Sequence, residues 1–173
     1  MEIKTGTVYI GQLSSSPLGP IWVAVSENGL VAVETSDDRE TIIESLNRMG
    51  FQNIVHDQQE TAGAIRQISE YLHGERKDFD IAIDWSVLTP FQNKVLRATF
   101  EIPYGQVRTY GGLAQEVGNP RAARGVGRAE ATNPMPLVIP CHRVIGSDGG
   151  LHGYGSGEGL KTKAWLLELE SKI

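Results

Sequence analysis

Cysteine offers more chemistry than any other side chain here, and only one is present, Cys141. It sits in Pro140-Cys141-His142-Arg143, behind the apolar run Leu137-Val138-Ile139 and ahead of a glycine-rich segment, Gly146 to Gly159. A sulfur placed where buried chain gives way to loop can be both sheltered and reachable. A lone buried cysteine is ordinarily a small hydrophobe. Its neighbours His142 and Arg143 argue for more, because a nearby cation favours thiolate over thiol. Adjacent side chains point apart on an extended backbone, so His142 reaches Cys141 more easily through a water than directly. A carboxylate such as Glu170 could orient the imidazole and complete a relay of nucleophile, base and acid. Zinc is disfavoured, since Cys141, His142 and His152 form no recognised ligand spacing. Thioredoxin-type exchange lacks its second cysteine.

The elements around this stretch divide by charge. Residues 1–84 hold 6 Lys/Arg against 14 Asp/Glu, whereas residues 85–173 hold 10 against 7. The net charge of −5 therefore hides an acidic half and a half able to approach a polyanion. A single cysteine excludes an internal disulfide and a cysteine-built zinc site, and it fits a reducing compartment. No leader opens the chain and no run approaches a membrane span, so a cytoplasmic protein without membrane contact is expected.

In the acidic half, Thr7 to Ile10, Ile21 to Val25 and Leu30 to Val33 read as strands, the last two joined at Glu27-Asn28-Gly29 as a hairpin. Asp37 and Asp38 open a helix through Leu46, and Ile65, Ile68 and Leu72 mark another, stopped by Gly74. Phe79, Ile81 and Ile83 alternate with polar residues and predict a strand with one packed face. His56 and His73 have no matching ligands and read as surface histidines. The half looks like a buttress without catalytic residues of its own.

In the basic half, Thr89-Pro90 predicts a helix start, and Ile102-Pro103-Tyr104-Gly105 a turn ending that helix. Thr109 is positioned to cap a second helix carrying Leu113, Ala114 and Val117. A third, capped by Asn119, is predicted from Arg121 to Ala129, with Arg121, Arg124 and Arg128 on one face. Two short helices across a tight glycine turn outline a helix-turn-helix. Gly125 and Gly127 slim the third helix, which suits either a DNA surface or tight helix packing. Leu137 to Ile139 predicts a short buried strand or extended segment, and Gly153 to Gly159 a flexible loop. A last helix from about Leu160 to Leu169 should turn Trp165, Leu166 and Leu169 inward.

The run Ile139-Pro140-Cys141-His142-Arg143-Val144 resembles the active-site signature of the O6-alkylguanine-DNA alkyltransferases. The likeness continues through Phe91-Gln92, Ile102-Pro103-Tyr104-Gly105, Thr109-Tyr110, Gly118-Asn119-Pro120, Arg121-Ala122-Ala123-Arg124, Val126-Gly127, Asn133-Pro134 and Lys163-Ala164-Trp165-Leu166-Leu167 with Glu170. It is dense over about residues 87–171 and thin over 1–86. The resemblance implies an α+β protein. A small ribonuclease-H-like sheet domain, residues 1–86, would precede a helical, winged-helix-like DNA-binding domain with a helix-turn-helix, residues 87–173. It implies a monomer that binds double-stranded DNA in the minor groove and flips the damaged base out, with cooperative binding along DNA left open. The alkyl group of O6-alkylguanine, and of O4-alkylthymine, would pass irreversibly to Cys141 in a single turnover, with no cofactor and no metal.

Residue roles follow from the same likeness. Cys141 would be the alkyl acceptor, His142 its water-linked base and Glu170 the orienting carboxylate. Tyr110 would donate to the departing guanine, and Asn133 would tie the active-site turn together. Arg124 would fill the gap left by the flipped base, with Arg121, Ala122, Ala123, Arg128, Thr109 and Gly127 also on the DNA face. Met135, Pro136, Tyr154, Gly155 and Ser156 would line the alkyl pocket. Arg143 reads as structural, pairing across the domain interface. Gly155 departs from the Ser or Ala common in relatives, and the link from Tyr154 to the last helix is long, which leaves the alkyl range open. Two other readings compete. An alkyltransferase-like lesion binder would flip the base without reacting, but such proteins carry tryptophan where Cys141 stands. A thiol hydrolase would leave the arginine helix unexplained.

Overall fold

Strand-prone runs on either side of an Asn-Gly step pair as a hairpin, and the rest of the first unit is laid on them. The computed structural model describes residues 3–171. These form two units that divide between Val87 and Leu88. In the first, β1 (Lys4–Leu13), β2 (Ile21–Ser26) and β3 (Gly29–Thr35) run antiparallel, and β4 (Phe51–His56) adds parallel to β1. The resulting order is β3-β2-β1-β4. Helix α1 (Arg39–Arg48) is capped by Asp38, whose side chain accepts from the Glu40 amide, and α2 (Gln58–Leu72) by Asp57. Val8, Ile10, Trp22, Ala24, Ile42 and Leu46 form the core of this unit.

Two predictions for this unit need correction. The segment holding Phe79, Ile81 and Ile83 is no strand, since only Leu30 and Ile83 make a bridge. Its backbone is held otherwise: the Gln67 carboxamide donates to Asp80 O at 3.0 Å and accepts from Asp80 N at 2.8 Å. Gly29, at φ 126°, lies so close to Ala82 that an added Cβ would stand 2.3 Å from its carbonyl oxygen. Strand β4 was not foreseen, because only Phe51 of its six residues is buried. An exposed edge strand with a polar sequence lacks the alternation that reveals strands.

The second unit is helical. Its first helix, α3 (Pro90–Phe100), starts in a reciprocal capping box between Thr89 and Gln92. Thr109 closes the two-residue strand β5 (Arg108–Thr109) and caps α4 (Tyr110–Glu116) through the Gly112 amide at 3.0 Å. Helix α5 (Ala123–Ala131) follows, and the 3-10 turn Cys141–Arg143 leads into β6 (Val144–Ile145), which pairs parallel with β5. Helix α6 (Leu160–Ser171) packs against that turn. Val95, Leu113, Ala114, Val126 and Ala129 fill the core, and α4, its following turn and α5 make the helix-turn-helix.

Here too the sequence misleads in places. Helix α5 starts at Ala123, not Arg121, because the Ala122 amide bonds Asn119 O at 2.9 Å in a preceding turn. Arg124 and Arg128 lie one turn apart on its exposed side, and Arg121 stands outside the helix. The helix glycines face protein: an added Cβ at Gly125 would meet the Phe91 ring at 3.3 Å, and one at Gly127 would touch Tyr110. Tight packing thus accounts for Gly125. Leu137 to Ile139 form a buried turn instead of a strand, with Leu137 at φ 73° and the Ile139 amide bonded to Met135 O. The buried face of α6 is Thr162, Lys163, Leu166 and Glu170, while Trp165 and Leu169 are half-buried.

Candidate active site

The turn that presents the sulfur is built on one amide. Asn133 stands just past Thr132, which caps the end of α5, and its Nδ2 donates to Ile139 O at 3.0 Å while its Oδ1 accepts from Met135 N at 3.0 Å. A six-residue loop is thereby clamped from inside, and Pro134 and Pro136 restrict what remains. The chain leaves the clamp through Pro140, and the Cys141 amide bonds back to Ile139 O at 2.8 Å. Cys141 is only 6% exposed.

Behind it lies a buried cluster of charge. His142 Nε2 donates to Glu170 Oε1 at 2.7 Å, and Arg143 reaches both carboxylate oxygens, at 2.8 Å from Nη2 and 3.0 Å from Nε. Gly105 N adds a bond to Oε2 at 3.1 Å, and Arg143 Nη1 donates to Ile102 O. Its guanidinium also lies over the Tyr104 ring. Arg143 therefore has a partner within its own unit, Glu170. Burial pushes the His142 pKa down despite Glu170, so the imidazole is neutral near pH 7. With Nε2 committed as donor, Nδ1 carries the basic lone pair.

Cys141 opens on a narrow cleft with a cavity volume of about 40 Å³, well below the usual small-molecule sites of about 300–1,000 Å³. Tyr110, Gly127, Glu130, Ala131, Gly153 and Tyr154 complete the lining. The thiol is not the thiolate that adjacent cations suggested. Burial, then the nearby Glu130 carboxyl, push its pKa up to about 12. His142 is neutral and Arg143 is compensated by Glu170, so neither acts as a bare cation. Burial likewise raises Tyr110 and holds it as a phenol able to donate. Glu130 is pushed up to about 8 by burial, against the bond to Thr99 and the charge of Lys163. Lys163, fully buried, donates to Val144 O at 2.6 Å, Leu151 O at 2.7 Å and Gly153 O at 3.1 Å, and to the Tyr110 hydroxyl at 3.4 Å.

A buried thiol on a clamped turn beside a histidine–carboxylate pair is matched by relatives along most of the chain. Residues 90–172 fit the 6-O-methylguanine DNA methyltransferase DNA binding domain, and residues 8–85 fit the ribonuclease-like domain of the same family. A methylated-DNA–protein-cysteine methyltransferase of Methanosarcina acetivorans is 42% identical over 155 residues, 90% of this chain and 94% of the relative. The chain belongs to this family. Among solved structures, the O6-methylguanine methyltransferase of Mycobacterium tuberculosis is similar at a TM-score of 0.78 and 35% identity, covering 95% of this chain and 93% of its own. OGT of the same organism in complex with DNA gives 0.77 at 35% identity, covering 95% and 92%.

Set beside the methyltransferase signature, Cys141, His142, Glu170 and Asn133 come together around one turn, and Tyr110 joins Cys141 in the cleft. Arg121, Arg124 and Arg128 are exposed, Ala122, Ala123, Thr109 and Gly127 half-buried. Of the five residues assigned to the alkyl pocket, only Tyr154 lines the cleft. Met135 and Pro136 are buried inside the clamped turn, and Ser156 lies beyond the lining. Gly155 runs against α5, where an added Cβ would stand 2.9 Å from Ala131 O, so a larger residue requires a shift of the chain. The sequence reading missed Glu130 and gave Lys163 no role. Both lie on faces whose spacing reveals burial, Val126–Glu130 on α5 and Lys163–Leu166–Glu170 on α6.

Proposed function

We infer that this family member repairs DNA by direct reversal, moving the alkyl group of O6-alkylguanine onto its own Cys141 and reacting once. The observation that carries the reading is the Cys141 thiol at the cleft, backed by the buried His142–Glu170 pair. The thiol proton leaves towards His142 Nδ1, through a water. Sulfur displaces the O6 oxygen from the alkyl carbon, so one C–O bond breaks and one C–S bond forms. The guanine leaves as the neutral base, its proton made good by Tyr110 and in turn by the proton taken from sulfur. A thiol with pKa about 12 carries little resting thiolate, so deprotonation belongs to the reaction itself. The thioether has no route back, which makes the transfer irreversible.

For the lesion to reach Cys141, the base must leave the stack. We propose that α5 lies in the minor groove with Ala122 and Ala123 against the backbone and Arg121 and Arg128 near phosphates, while Gly127 faces Tyr110 and the cleft. Arg124 then occupies the space of the flipped base. Flipping costs a few kcal/mol, less for a weakly paired lesion, and such contacts supply it. The exposed arginines of α5 support this reading.

Duplex DNA bearing O6-methylguanine should add one methyl mass to the peptide containing Cys141, and C141A should show none. DNA binding without that adduct would favour a lesion-binding role instead. Arg124→Ala should slow repair of duplex DNA far more than reaction with the free base O6-benzylguanine; equal losses would reject the space-filling role.

A further inference from the structure

The chemistry above leaves one cleft residue without a task. Glu130, only 6% exposed, lines the cleft with Cys141. Its Oε1 contacts Thr99 Oγ1, while Oε2 is buried with no hydrogen-bond partner among the described residues. We propose, resting on the alkyl-transfer reading, that Glu130 sets which alkyl groups the cleft accepts. It favours adducts whose chain carries a hydroxyl, such as 2-hydroxyethyl, over hydrocarbon chains of equal length.

Either placement of the hydrogens leaves Oε2 in want of a polar partner. Thr99 has one hydroxyl hydrogen, and its Oγ1 lies 3.0 Å from Val95 O, an acceptor only. If that hydrogen goes to Val95, the contact with Glu130 Oε1 needs a proton from the carboxyl. A carboxyl held neutral to about pH 8 supplies it. Oε2 is then a carbonyl-type oxygen waiting for a donor; if Thr99 donates to Oε1 instead, Oε2 carries the proton and waits for an acceptor. A buried polar atom left unmet is costly in either case, and a hydroxyl on the substrate, able to donate or accept, removes the cost. Propyl and 2-hydroxyethyl differ by CH3 against OH at the chain end, so they present nearly equal volume. One other group in the lining could compete. Gly127, Ala131 and Gly153 have no polar side chain, and the Tyr110 hydroxyl already faces the Lys163 ammonium. The buried Tyr154 hydroxyl also lines the cleft, so Tyr154→Phe is the control, and it should leave the preference standing.

The test uses duplexes carrying O6-methyl-, O6-(2-hydroxyethyl)- or O6-propylguanine, with single-turnover transfer to Cys141 measured at pH 7. For the wild type, the hydroxyethyl adduct should react about tenfold or more faster than propyl. Glu130→Leu should bring that ratio close to one, and Glu130→Gln, which keeps a carbonyl acceptor, should preserve most of it. Glu130→Met serves as the apolar variant if the leucine does not fold. A wild-type ratio within twofold overturns the assignment, as does an apolar variant that slows all three adducts by the same factor. Absence of methyl transfer by the wild type overturns the alkyl-transfer reading and this assignment together. Methyl transfer with a flat ratio overturns the assignment alone.

Discussion

Among the described residues, the buried polar side chains of the sheet unit are Ser45, Thr61, Gln67 and Asp84. Those of the helical unit are Thr99, Glu130, His142, Arg143, Thr162, Lys163 and Glu170. Asp84 is the sole ionisable group in the first set, and its bonds from Ser86 and Ser26 outweigh burial and keep its pKa low. Five ionisable groups stand in the second; burial prevails there on Glu130 and His142, as it does on the neighbouring Cys141. The same solvent exclusion therefore has opposite results. In the sheet unit an acid stays charged at the rim of an apolar core; in the helical unit groups are held neutral beside a fixed ion pair. Neutral, poised groups serve proton movement, which is where the chemistry has been assigned.

The contrast can be attacked from its strongest point. Glu170→Ala removes the shared acceptor of His142, Arg143 and Gly105, and an uncompensated buried charge remains. A loss of about 3–5 kcal/mol in urea unfolding is expected, together with slow methyl transfer by the molecules that stay folded. Ile42→Ala empties part of the sheet core and should cost about 2–5 kcal/mol, with the transfer rate per folded molecule little changed. If both variants lose rate equally, the two units are not functionally distinct. The smallest effect is a slope. Glu130 keeps its proton to about pH 8 when folded and loses it near 4.5 when unfolded. The unfolded state thus binds fewer protons in that window, and stability falls as pH rises, by up to about 1.4 kcal/mol per unit. Wild-type unfolding curves should show this decline between about pH 6.5 and 8, above the range in which the lowered His142 pKa acts in the opposite sense, and Glu130→Gln should flatten it. Parallel curves would place the Glu130 proton elsewhere.

Much of the frame was legible because its signals are local. Thr89, Thr109 and Asp38 cap helices by side-chain geometry that needs only the next three residues. The Asn28-Gly29 hairpin is of the same kind. What failed was decided from afar. Strand pairing was denied to Phe79–Ile83 by a glutamine thirteen residues upstream, and the turn at Leu137 depends on the Asn133 clamp. The cysteine and its partners were recognised through the likeness to known alkyltransferases. Its protonation state was not, because adjacency in sequence says nothing of the compensation of Arg143 by Glu170. Glu130 escaped notice as a charged residue on a basic helix, a pattern usual for a solvated face.

Lys163 has a consequence for the stretch that follows Cys141. Glycines at 146, 149, 150, 153 and 155 give that stretch the composition of a hinge, yet one ammonium fastens its carbonyls at Leu151 and Gly153 to the same anchor as Val144. It behaves as a fixed jaw and not a swinging flap. Bulky adducts must then be admitted by the side chain of Tyr154 turning aside, and a wider bite would have to be cut into the lining itself.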